Sequence, residues 1–314
     1  NHPDKPLMSA SLLRSKVFPI IDGGQSVLFI LVDNLRYDQW KAIEPILTSE
    51  WRVEVDETYY SILPTATQYA RNAIFAGLMP LEIQKTYPAL WVFDEEDEGK
   101  NMFEQELLNA QLQRLGKSYK TFYEKSNTLK PGQRIVDNLK EVLKNNLSVL
   151  VYNFVDMMSH SRTDSDMMKE LASDESAYLS LTKSWFQHSD LKVLLSEASK
   201  HNVKVVITTD HGAIRVQNPI KVIGDKATST NLRYKLGKSL NYNPKEVFEV
   251  RKPEEAHLPK QNVSSSFIFA YNNAFIAYPN NYNYYVNYYK NTFQHGGISL
   301  EEMIVPFVVL SPIE

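Results

Sequence analysis

Apolar and polar positions along the chain alternate between two rhythms. Short unbroken apolar runs have the length of buried strands, and stretches with apolar residues at helical spacing separate them. Three of the runs end on an aspartate: residues 26–32 run into Asp33, 149–155 into Asp156, and 203–209 into Asp210. Helical spacing marks 37–47, 67–75, 102–115, 135–143 and most of 167–200, with Gly77 and Pro80 stopping the second of these. Residues 51–55 and 118–123 read as further strands. Strands alternating with helices predict βαβ units, hence an α/β fold with a mostly parallel central sheet flanked by helices. Residues 1–24 read as an N-terminal helical connector closed by the Gly23-Gly24 turn, and 25–314 as the main domain. From about 221 to 293 the pattern degrades into a stretch rich in Lys, Asn and Tyr, which predicts an inserted cap before residues 303–310 return to the sheet.

Composition narrows the chemistry. The 314 residues are 43% hydrophobic, enough for one large core, and the net charge of −3 gives no overall signal for nucleic acid or an anionic membrane. Without a single cysteine there is no disulfide and no thiolate ligand, so any metal must be held by oxygen and imidazole. No apolar stretch reaches the roughly 18–20 residues of a membrane span, and the first residues carry no signal-peptide pattern, so a cytoplasmic protein without membrane insertion is expected. The chain starts at Asn1 without methionine, which leads to the expectation of a longer natural protein.

In an open α/β sheet, ligands bind beyond the carboxyl ends of the strands. Carboxylates delivered there from three strands repel one another unless a cation lies between them. His160 follows Asp156 at the spacing that shares one helix face, His211 directly follows Asp210, and His295 precedes the final core strand. Each aspartate taken singly is also a reasonable helix cap. Together, Asp33, Asp156, Asp210, His160, His211 and His295 suit two divalent ions, each with about three protein ligands and an open position. His2, His188, His201 and His257 read as ordinary surface histidines, and 94–98 as a solvated acidic loop.

This pattern resembles the alkaline phosphatase superfamily. Pro64-Thr65-Ala66-Thr67, with a helix ending before Gly77, looks like the threonine-nucleophile motif of its phosphodiesterase branch, in which the threonine precedes the terminal glycine by ten residues, as Thr67 does. The run from Val32 to Trp40, the threonine loop, and the run from Lys226 to Lys235 look more narrowly like the PglZ family, over roughly residues 25 to 312. Within it the likeness is to the output domains of PorX-type response regulators of the type IX secretion system. The resemblance implies one metal held by Asp33, Thr67, Asp210 and His211, and a second held by Asp156, His160 and His295, with zinc favoured and manganese the alternative. It further implies a receiver domain on the same natural chain, dimerisation, coupling through residues 5–19, and secretion-system or sigma-factor partners.

The implied activity is hydrolysis of a nucleotide or oligonucleotide phosphodiester by in-line attack of Thr67 on phosphorus. Arg71, one helical turn after Thr67, and Lys226, Thr228, Ser229 and Arg233 in the insertion are expected to serve either as phosphate ligands or in structural roles. Tyr278, Tyr282, Tyr284, Tyr285, Tyr288 and Tyr289 suit stacking of nucleobases or, more simply, packing of the cap. A phosphomonoesterase of the same fold, or a metal-bound signalling module without catalysis, are the alternatives.

Overall fold

The computed structural model describes residues 5–93, 101–126, 132–153, 155–158, 170, 174–224, 228–260 and 262–313. Its first five strands are β1 (Val27–Val32), β2 (Trp51–Tyr60), β3 (Thr121–Ser126), β4 (Leu147–Tyr152) and β5 (Lys204–Thr208). The cap region contributes β6 (Ile214–Arg215), β7 (Asn218–Lys221), β8 (Tyr234–Gly237), β9 (Val247–Val250), β10 (Ser266–Ala270), β11 (Ala274–Ala277) and β12 (Phe293–Gln294), and β13 (Ile304–Pro312) closes the chain. The main sheet has six strands in the order β2-β13-β5-β1-β4-β3. β5, β1, β4 and β3 pair in parallel, and β13 runs antiparallel between β5 and β2.

Every side chain of β1 is buried, as expected for a parallel strand covered on both faces. Val27, Phe29 and Leu31 pack with Phe75, Leu107 and Leu108 in one layer, while Leu28, Ile30 and Val32 pack with Trp40, Ile43 and Tyr178 in the other. Each such fully buried side chain contributes about 1.5–3 kcal/mol, so the alternation along one strand ties three layers together.

Helices Tyr37–Leu47 and Thr67–Ala76 lie where the sequence places them. The second ends at Gly77, whose φ of +61° is the left-handed conformation that glycine adopts without a Cβ penalty. The helical stretch 167–200 is divided in its described part: Ser189 ends Glu175–His188 and caps Asp190–Ala198 by accepting the Lys192 N–H at 3.2 Å. The segment expected to be a connector is packed onto the domain, with Leu12, Leu13, Val17 and Phe18 buried in the same core as β1.

One strand boundary differs in a way that matters. β4 ends at Tyr152, level with Val32 of β1, and the Asp33 N–H donates to the Tyr152 carbonyl at 2.8 Å. The chain then turns helical, with the Met157 N–H bonded to the Asn153 carbonyl at 3.0 Å. Asp156 therefore belongs to a helical turn beyond the strand, and Asn153 takes the strand-end position level with Asp33.

The cap is built from small sheets: β8-β10-β9 antiparallel, β11 beside β7, and β12 beside β6. Tyr234 and Phe267 of this region pack edge-on against Tyr69 of the helix that begins at Thr67, with ring centres 5.9 and 6.2 Å away. The cap thus shares the core of the main domain.

Candidate active site

Register brings the carboxyl ends of β1, β4 and β5 to one edge, since Val32 pairs with Tyr152 and Leu31 with Thr208. Asp33 and Asp210 emerge there almost completely buried, and His211 follows directly. One ligand atom from each of Asp33, Asp210 and His211 lies within 4.8 Å of the others. The helix Thr67–Ala76 points its start at the same place. Thr67 Oγ1 is 3.2 Å from His211 Nε2 and 3.5 Å from Asp33 Oδ1.

A second set adjoins the first. The His295 ring stacks on that of His211 at 4.1 Å, and its Nε2 is 3.6 Å from Asp156 Oδ1. Both imidazoles are oriented alike. His211 Nδ1 is 3.1 Å from the Gly212 carbonyl and His295 Nδ1 is 3.1 Å from the Thr65 carbonyl. A backbone acceptor at Nδ1 places the proton there and leaves the Nε2 lone pair facing the site, as in metal-ligating histidines. His160 lies outside the described residues.

Asn34, with φ of +64°, links the two sets. Its Nδ2 donates to Asp156 Oδ1 at 3.3 Å and its backbone N–H to Asp210 Oδ1 at 3.5 Å. Thr65 Oγ1 donates to the Gly297 carbonyl and accepts the Gly296 N–H, which clamps the turn carrying His295.

Arg71 is fully buried and forms ion pairs with Asp33, Asp210 and Glu104, with 2.9 Å between its Nε and Asp210 Oδ2. Its Nη1 also bonds Asn153 Oδ1 at 3.3 Å. A guanidinium engaged by three carboxylates beneath the site acts as a brace, the structural one of the two roles expected of Arg71. Arg233 is likewise buried and pairs with both carboxylate oxygens of Glu302, at 3.1 and 2.7 Å, so its role is structural as well. Ser229 Oγ accepts the Leu236 N–H at 2.9 Å, and Thr228 fills the space above Gly224 and Gly237, so both have partners inside the cap. Lys226 lies outside the described residues. Asn34, Thr65, Glu104 and Asn153 are site residues the sequence reading did not assign. Of these only Asn153 carried a signal, its position at the end of a buried strand.

The electrostatics call for a cation. Burial raises the Asp33 carboxyl well above the usual carboxylate range, and Asp210 and Asp156 add to the rise against the pull of Arg71. Burial works the same way on Asp210, but Arg71 and His211 outweigh it and hold that group at about 2. Arg71 alone therefore does not balance the carboxylates. Hard carboxylate oxygens and imidazole nitrogens converge there, a donor set that suits a divalent ion.

A family model described as the BREX system PglZ alkaline phosphatase-like domain matches residues 12–310. The chain belongs to the PglZ family. Among solved structures this PglZ domain is similar to human ectonucleotide pyrophosphatase/phosphodiesterase 5, at 14% identity and a TM-score of 0.55, covering 91% of this chain and 87% of that one. The murine protein of the same name aligns at 15% identity and a TM-score of 0.51, covering 91% and 88%. An inactive threonine-to-alanine variant of the murine protein, in complex with AMP, aligns at 15% identity and a TM-score of 0.50, covering 91% and 87%. At these identities the likeness is one of fold. No match is found among curated proteins. As an alkaline phosphatase-like PglZ domain, the chain is a hydrolase of phosphate esters.

Proposed function

We propose that this PglZ domain hydrolyses phosphodiesters of nucleotides or oligonucleotides with Thr67 as the nucleophile. The observation that carries the reading is the position of Thr67 Oγ1, at a helix start and within 3.5 Å of both His211 Nε2 and Asp33 Oδ1. Backbone N–H groups in the first turn of a helix lack intrahelical partners and bind anions, so the turn after Ala66 suits the non-bridging oxygens of a phosphoryl group. The Thr67 oxygen bonds to phosphorus as the ester oxygen departs, and the departing alcohol takes the hydroxyl proton. Water then attacks the phosphorus of the resulting nucleotidyl-threonine, which releases the nucleotide monoester and restores the hydroxyl. Asp33, Thr67, Asp210 and His211 would hold one divalent cation, zinc or manganese, and Asp156, His160 and His295 a second. Bound there, the ions supply positive charge to the phosphoryl oxygens and ease ionisation of the hydroxyl. Arg71 holds Asp33 and Asp210 in place from below, and Asn34 holds Asp156.

The choice of a diester is supported by the threonine motif and by the named activity of the structural neighbours, one of them an AMP complex. The test is hydrolysis of bis(p-nitrophenyl) phosphate and p-nitrophenyl phosphate with zinc or manganese, comparing the wild-type protein with Thr67→Ala. We expect a diester preference and a loss of at least about a thousandfold in the variant. Activity that survives loss of Thr67, or a metal-loaded protein inert on both esters, overturns the mechanism.

The regulatory setting rests on the resemblance of the Val32–Trp40 and Lys226–Lys235 runs. In this reading the domain is the cytoplasmic output of a PorX-type regulator of type IX secretion, dimerising under control of its receiver domain. A natural chain encoding any other domain ahead of Asn1 removes that setting and leaves the hydrolase untouched.

A further inference from the structure

The cap holds a cavity of about 480 Å³, a size common for small-molecule sites. Its walls include Tyr278, Tyr285, Tyr289, Leu232 and Ile276, together with Lys235 of β8. Lys235 is 1% exposed. Its Nζ donates to the Ser229 carbonyl at 2.8 Å and lies 4.8 Å from the centre of the Tyr278 ring. Among the described residues no carboxylate pairs with it, and burial alone pushes its ammonium down to about 7. An amine has further N–H donors beyond the one Ser229 uses, and leaving them unmet in an apolar pocket is costly.

The tyrosines have a division of labour. Tyr282, Val286 and Tyr289 pack toward Ile214, Val216, Phe275 and Ala277, which anchors the helix Tyr282–Tyr289. Tyr285, 38% exposed, lies parallel to Tyr289 within 13° and lines the cavity with it. Flat apolar ring faces beside the buried Lys235 donor form a site for a planar heterocycle bearing an acceptor.

We propose that this cavity binds a nucleobase, stacked on the cap tyrosines and held through a ring carbonyl by Lys235 Nζ. Guanine and uracil present such carbonyls, whereas adenine presents an amino donor beside its ring nitrogen. Thr230 and Leu232 line the cavity, and the intervening Asn231 packs against Gly296, which ties the cavity wall to the turn that carries His295. The same chemistry serves the base of a phosphodiester substrate or a separate nucleotide. Only the first source rests on the phosphodiesterase reading, and base binding itself does not.

Calorimetric titration with guanosine, uridine and adenosine tests this, because nucleosides carry no phosphate to engage the carboxylate site. Guanosine and uridine should bind about tenfold more tightly than adenosine, and Lys235→Met should erase that preference. Tyr278→Leu, which keeps the amine, should weaken all three, so a folding failure of one variant leaves the other informative. No binding of any nucleoside at roughly millimolar concentration, or a preference that persists without Lys235, overturns the proposal. Thr67→Ala protein should titrate like the wild type, which separates this result from the fate of the catalytic reading. Guanosine that inhibits hydrolysis of a guanosine-containing phosphodiester competitively assigns the site to the substrate. Binding without competition assigns it to a second nucleotide, and either result upholds the base site.

Discussion

Arg71 shows how far one side chain shapes the site. It stands one turn after Thr67, where the sequence alone allows either a phosphate ligand or a structural cation. Side chains on a helix tilt toward its N-terminus, however, and a long one reaches back beneath the residue a turn earlier. The guanidinium therefore ends among Asp33, Asp210 and Glu104, and Glu104 is held further by Tyr123 and Lys125. Removing one partner of a buried ionic cluster costs about 3–5 kcal/mol, because the remaining charges stay buried and unpaired. Arg71→Met should lower the unfolding free energy by that amount in denaturant titrations, and zinc or manganese should restore part of it by neutralising Asp33 and Asp210. A loss below about 1 kcal/mol, as for an exposed ion pair, would show that the guanidinium is not the brace described. Arg233 teaches the same lesson, since Glu302, its partner, is 69 residues away and only the fold unites them.

At the scale of elements, the turn from β5 toward the cap is the most constrained. A Cβ built on Gly212 would lie 2.0 Å from the Glu301 carbonyl oxygen, and the Gly212 N–H donates to the Glu302 carbonyl at 3.1 Å. Since both contacts involve backbone, a larger residue must move the His211 turn, the helix Leu300–Met303, or both. Gly212→Ala should cut kcat by about a hundredfold, the scale set by an ångström of displacement in a catalytic group, while far-ultraviolet circular dichroism stays native. An unaltered kcat would mean that His211 tolerates the shift. The elements carrying the site were largely legible: unbroken apolar runs exposed β1 and β5, and the Thr67 helix was bounded by Gly77. β2 was read as half its length, because the adjacent charges of Asp56 and Glu57 break the alternation that marks residues 51–55 as strand. Asp156 was placed on a strand because the apolar run continues through the helical turn that follows. The cap strands of two to five residues were not legible, since their pairings are set by tertiary contacts and not by periodicity.

Across the whole molecule, the site joins three bodies that no single segment could supply. The sheet edge gives Asp33, Asp210 and His211, the Thr67 helix gives the hydroxyl, and the turn beyond the cap gives His295. Glu302 ties these together, because its carboxylate holds Arg233 of the cap and the Gly297 N–H, while its backbone carbonyl holds Gly212. Among the described residues no helix is long and apolar enough to cross a membrane. The carboxylates are brought together only in the folded chain, so a cation that bridges them binds the native state and not the unfolded one. Its stabilisation follows RT ln(1 + [L]/Kd), about 2.7 kcal/mol at a hundred times Kd. For a chain of this size that corresponds to several degrees in melting temperature. Melting in chelator should therefore fall below melting in zinc or manganese, and Asp210→Asn should abolish most of the difference. If chelator and metal gave the same melting curve, Arg71 alone would suffice for the buried carboxylates. The cation argument would then fail at its source, because the raised Asp33 carboxyl would need no partner beyond the protein.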